Sequence, residues 1–136
     1  MANAVYQDPT RVVAITIPAA QNNSDIVDLT KTDTLLGSPK GAAQLRRLNF
    51  PADWTTSNIT FEVFDDNIGT NPRLLNFFDL VTVAPIKMLA VAPSTTISLS
   101  APGFDTIFFF RLVSETAQVN EVEVTAIATP IYVVPA

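Results

Sequence analysis

Apolar and polar residues alternate with a period of two along most of this chain. The clearest case lies in Leu48 to Asn67, LNFPADWTTSNITFEVFDDN, and the other segments can be placed relative to it. Ile59, Phe61 and Val63 point one way and Thr60 and Glu62 the other, the signature of a strand with one buried face. Asp65, Asp66, Asn67 and Gly69 then supply turn chemistry. Before this strand, Pro51-Ala52-Asp53 makes a corner, and Asp53 is placed to cap a short turn through Trp54 and Thr55. Trp54 is expected as a lid on the core edge, because Trp is mostly buried with its N–H satisfied.

Arg11 to Ile17 reads as a strand with Val13, Ile15 and Ile17 on one face, stopped by Pro18. Asp25 to Leu29 is a shorter strand, and Thr30 to Ala43 a loop marked by Gly37, Pro39 and Gly41. Gln44 to Phe50 puts Leu45, Arg47 and Asn49 on one face and Arg46, Leu48 and Phe50 on the other, with Leu48 and Phe50 predicted inward. Leu74 to Val83 reads as one long strand or two short ones. Phe77 and Phe78 then face opposite sides, which points to one of them at an interface. Lys87 to Val91 and Thr96 to Ser100 follow between prolines. Thr106 to Val113 is the most apolar run and is expected to be a central strand covered on both sides. Glu121 to Ala128 alternates Val122, Val124 and Ala126 with outward Glu121 and Glu123, and Ile131 to Val134 ends the alternation.

No window repeats apolar residues at helical spacing with capping signals. Eight to ten short strands and 10 prolines predict an all-β antiparallel sandwich, a jelly roll of about eight strands being the leading form and an immunoglobulin-like sandwich the alternative. The 136 residues amount to one domain over 11–136, preceded by an extended arm over 1–10.

Composition narrows the chemistry. Cys and His are both absent, which removes disulfides, thiolate sites and the commonest transition-metal and general-base arrangements. Charged residues make up 15% against 48% hydrophobic, with a mean hydropathy of +0.30. Such a charge-poor surface predicts that a protein partner covers some apolar area. The net charge of −5, with no basic cluster beyond Arg46-Arg47, argues against nucleic-acid binding. The run VVAITI after Arg11 is too short for a leader's apolar segment, and no stretch is long enough to span a membrane as a helix.

Candidate chemistry is sparse. Asp65-Asp66-Asn67 with Gly69 lacks the alternating ligands and distal Glu of a calcium loop and reads as a strand-ending turn. Most acids sit in turns or on polar strand faces, a poor basis for a carboxylate pair across a cleft. Four glycines make no phosphate cradle. The chain is therefore read as a non-enzyme without cofactor or metal.

The stretch LNFPADWTTSNITFEVFDDN, then NFFDL at Asn76 to Leu80, then FDTIFFFRLVSETAQVNEVEVTAIA resembles a group of small tailed-bacteriophage virion proteins. The matching features are an apolar strand leading into Pro-Ala-x-Trp-Thr, an acidic turn, an aromatic-Asp-Leu segment, and Arg111-Leu112 before Val119-Asn120. Proteins that look like this include capsid cement, or decoration, proteins with a jelly-roll fold. The resemblance implies a structural protein on the outer surface of a phage capsid, bridging subunits of the major capsid protein and associating as a homodimer. Val5, Tyr6, Phe77, Ile131, Tyr132, Val133 and Val134 are the candidate partner-interface residues, because terminal segments outside a core are free to extend onto a neighbour. The competing expectation is a carbohydrate-binding or adhesin sandwich, which needs an exposed aromatic platform; Trp54, Tyr6 and Tyr132 are the polar-tipped aromatics available.

Overall fold

A computed structural model describes residues 11–30, 43–78, 80–99, 104 and 107–130. Eleven strands and no helix occur among them: β1 (Arg11–Ile17), β2 (Val27–Asp28), β3 (Ala43–Asn49), β4 (Ser57–Val63), β5 (Arg73–Leu74), β6 (Asn76–Phe78), β7 (Val83–Pro85), β8 (Lys87–Val91), β9 (Thr96–Ser98), β10 (Phe109–Ser114) and β11 (Val122–Pro130). One sheet runs β1-β11-β3-β9 and the other β2-β10-β4, with antiparallel neighbours throughout. The fourth position of the second sheet is shared: β5 lies beside Glu62 and Val63 of β4, and β8 beside Ser57 to Thr60. The strands β6 and β7 pair with each other in a separate ribbon.

The two sheets close on one core. Ile15, Ile17, Leu45, Leu48, Val122 and Val124 from the first sheet and Val27, Ile59, Phe61, Phe110 and Leu112 from the second form a single buried cluster. Phe61 lies near its centre, with the rings of Phe104 and Phe110 at 5.1 and 5.9 Å. The protein is thus an antiparallel β-sandwich, its layers held by the inward half of each alternating strand.

Two details depart from the alternation. In β3 both Leu45 and Leu48 are fully buried, although Leu45 was expected on the face opposite Leu48. The register with β11 shifts between Ile127 and Ala128, so that Arg47 lies opposite Ile127 and Leu45 opposite Ala128. Arg46 is the extra residue of a β-bulge, which resets the parity of the strand. Second, β10 starts at Phe109 and is not covered on both sides. Phe110, Leu112 and Ser114 are buried, while Phe109, Arg111 and Val113 are half-buried. Arg111 pairs there with Glu62 and lies 5.5 Å from the centre of the Phe64 ring.

Trp54 is 2% exposed, donates Nε1–H to the Val91 carbonyl at 3.0 Å and packs 4.9 Å from the Phe50 ring. The corner before it is closed by the Trp54 N–H donating to the Pro51 carbonyl at 3.3 Å. Beside this corner, buried Ser57, Ser114 and Gln118 join the 115–121 loop to the start of β4 through a network of hydrogen bonds. At the opposite end, Arg11 pairs with Ala128 and Ala43 with Pro130, so β1 begins beside the end of β11.

Candidate functional surface

The edge of the second sheet carries the feature most unlike the rest of the sandwich. Leu75 and Ile86 are half-buried and packed on the core. The Leu75 N–H donates to the Phe61 carbonyl at 2.9 Å, and the Ile86 N–H donates to the Leu75 carbonyl at 3.0 Å. The edge strand is thus continuous from β5 through Leu75 and Ile86 to β8, and residues 76–85 are extruded between them as a hairpin. Its register is Asn76 opposite Pro85, Phe77 opposite Ala84, and Phe78 opposite Val83.

This hairpin displays apolar side chains to solvent. Phe78 is 59% exposed, Val83 69%, Leu80 85% and Val81 86%. Phe77 is 39% exposed, and Leu89 in adjacent β8 is also open. Leu80 sits at φ +79°, a left-handed conformation that costs a bulky residue on the order of 1–3 kcal/mol. The loop therefore holds an apolar side chain outward at a conformational cost. Isolated exposed apolar residues are ordinary, but a contiguous group of this kind marks an interaction surface.

Of the residues expected at an interface, Phe77 lies in this hairpin, while Val5, Tyr6, Ile131, Tyr132, Val133 and Val134 lie outside the described residues, as does the arm over 1–10. The sequence reading placed one of Phe77 and Phe78 at an interface and passed over Leu80, Val81 and Val83. Their signal was present in LLNFFDLVTV, ten residues with one charge between two prolines, but alternation of this kind equally describes a strand buried in a sheet.

The acidic turn is consumed by its own fold. The Asp66 carboxylate accepts from the Ile68 and Thr70 N–H groups, both at 3.0 Å, and from the Thr70 hydroxyl at 2.6 Å. Asp65 accepts from both Arg73 terminal nitrogens at 2.9 and 3.3 Å and from Asn71 at 2.7 Å. The Arg73 and Asn71 donors hold the Asp65 carboxyl below its ordinary range, and the Thr70 hydroxyl and N–H do the same for Asp66. Among the described residues, no group of three or more acidic side chains is arranged to hold a metal ion. An open cleft of about 430 Å³ is lined by Thr16, Pro51, Asp53, Glu121, Val122 and Glu123. A second, of about 400 Å³, lies among Val63, Phe64, Leu75 and Phe108. Trp54, being buried, offers no stacking platform to a sugar.

No family model, no curated protein and no solved structure matches the chain.

Proposed function

We propose that this is a structural virion protein, a capsid cement or decoration protein that binds the outer surface of a bacteriophage capsid and bridges its shell subunits. The observation that carries this reading is the extruded hairpin: its exposed apolar groups are those of an assembly surface, on a sandwich whose acidic turn is engaged internally. The jelly-roll form goes with it. Taken in chain order, the sheet positions alternate between the two layers except at the step from β4 to β5, and the first strand pairs with the last. In an immunoglobulin-like sandwich, successive strands more often share a sheet.

The mechanism is mechanical. A protein that contacts two neighbouring subunits adds binding free energy to the assembled shell and none to free subunits, so the shell is stabilised by linkage. The segments before Arg11 and after Pro130 depart from adjacent strands at one end of the sandwich, which suits Val5, Tyr6 and Ile131 to Val134 to a shared contact with the major capsid protein. The test is sedimentation with intact capsids. A fixed molar ratio to the major capsid protein is expected, and free protein at the top of the gradient would sink the proposal. Removal of residues 1–9 is expected to lower occupancy; unchanged occupancy would take the arm out of the contact.

A further inference from the structure

An isolated two-stranded ribbon is marginal in water, and three or more strands with an apolar face are needed for it to hold by itself. The β6–β7 hairpin is such a ribbon. Its hydrogen-bond parity follows from its base. The Ile86 N–H points across to the Leu75 carbonyl, so alternation makes Phe77–Ala84 the next inward-bonded pair and turns the backbone groups of Asn76, Phe78, Val83 and Pro85 outward. On the β7 side, Pro85 has no N–H to offer, the usual protection of an edge strand. On the β6 side, Asn76 and Phe78 both present N–H and C=O, and no backbone partner takes them among the described residues.

We propose that two copies of this chain associate through this hairpin, with β6 pairing antiparallel to β6 of the second copy about a two-fold axis. An edge strand is its own antiparallel partner, and a two-fold contact uses the same patch twice. Centring the axis on Phe77 pairs Asn76 with Phe78 of the other copy, and the reverse, and forms four backbone hydrogen bonds. The two Phe77 residues then become a directly opposed, non-hydrogen-bonded pair with Cα atoms about 4.5 Å apart. The two ribbons become one four-stranded sheet. Phe77, Phe78, Leu80, Val81 and Val83 are all exposed in a single copy, and the pairing sets Phe77 and Phe78 of β6 against their counterparts across the axis, the apolar centre that a two-fold contact needs. Charge does not oppose the contact strongly, since Asp79 is the single charged residue from Leu74 to Ile86 in a chain of net charge −5. The proposal rests on the hairpin being an assembly surface, and it gives the cement reading its two-handedness: a dimer carries two sets of terminal segments and can engage two shell subunits at once.

The absence of cysteine makes the test direct. The pairing brings residue 77 within disulfide reach of its own copy, so oxidised Phe77→Cys is expected to run as a covalent dimer while Leu80→Cys, at the tip, stays monomeric. Sedimentation velocity on the full chain over a hundredfold concentration range is expected to show a reversible dimer. Phe78→Asp is expected to abolish it while keeping the thermal midpoint that dilute, monomeric wild type shows, and Phe78→Pro, which removes an outward N–H, to weaken it at least tenfold. A wild-type monomer throughout, equal cross-linking of the two cysteine variants, or a dimer that persists in Phe78→Asp would overturn the proposal. Loss of capsid sedimentation by a wild-type monomer on Phe78→Asp substitution would also overturn it, giving the hairpin to the shell. None of the dimer measurements includes capsids, so a dimer that ignores capsids sinks the cement reading alone.

Discussion

Gln118 and Thr55 exchange two hydrogen bonds as if they were partners in a sheet: the Thr55 N–H donates to Gln118 Oε1 at 2.7 Å, and Gln118 Nε2 donates to the Thr55 carbonyl at 3.0 Å. Gln118 is fully buried and also donates to Ser114 Oγ at 3.1 Å. Its backbone joins the same corner, donating to the Gln21 carbonyl at 3.0 Å and accepting from Ala20 at 2.7 Å. One side chain thus ties the loop before β11 to the corner before β4.

Replacing Gln118 by Ala is expected to cost about 1–3 kcal/mol, because it leaves the half-buried Thr55 donor and acceptor and the buried Ser114 hydroxyl without this partner. Urea unfolding measures this. A loss below half a kilocalorie per mole would mean that water replaces the amide freely.

The bulge in β3 makes a paired prediction. Leu45→Ala is expected to cost about 2–5 kcal/mol, as for other buried leucines. Arg46→Ala, at the exposed extra residue, should stay within about 0.5 kcal/mol of wild type. Equal effects would contradict the register.

Acid should weaken the fold through three carboxylates. Asp65 and Asp66 have pKa values lowered from 3.8, and Glu115 is lowered from 4.5 by Asn58 and then Lys87. Each folded value lies below the unfolded one, so the stabilisation is complete above the unfolded carboxylate range and is lost as pH falls through the folded values. Urea midpoints should therefore decline once the pH drops below the ordinary carboxylate values. Asp66→Asn should flatten that decline, and an unchanged slope would exclude Asp66 as a contributor.

Gly69 holds the acidic turn at φ +90°, and a Cβ built there would lie 3.3 Å from Ile26 Cδ1. Gly69→Ala should cost roughly 1–2 kcal/mol from the backbone conformation and the contact together. A variant as stable as wild type would show that the turn can relax.

The class of fold was legible because Ile59-Phe61-Val63 and Val122-Val124-Ala126 alternate without interruption and prolines mark the corners. Trp54 was legible for the same reason, its size and single polar atom suiting a core edge with one acceptor. The bulge was hidden because Arg46 carries no glycine or proline signal, and a period-2 pattern continues past an inserted residue as though nothing had moved. Gln118 was hidden because a polar residue in a loop is ordinarily solvated, and its burial depends on Thr55, far away in sequence. The hairpin was hidden for a third reason. Alternation in Phe77, Phe78 and Val83 defines two faces but does not say whether this chain supplies a cover for either.

The strand order also sets when the protein can fold. In the first sheet β11 lies between β1 and β3, so neither acquires that neighbour until residues 122–130 exist. At synthesis rates of roughly 5–20 residues per second, β1 waits about 5–20 s for its partner after leaving the ribosome. Most strand pairing among the described residues is distant in sequence, with β4–β5 and β6–β7 the local pairs, which places the chain among slow folders. A nascent chain stopped before Val122 can pair the strands of the second sheet, but β1 and β3 lack the strand that joins them, so the apolar face of that sheet stays open to chaperones until the final strand completes its cover.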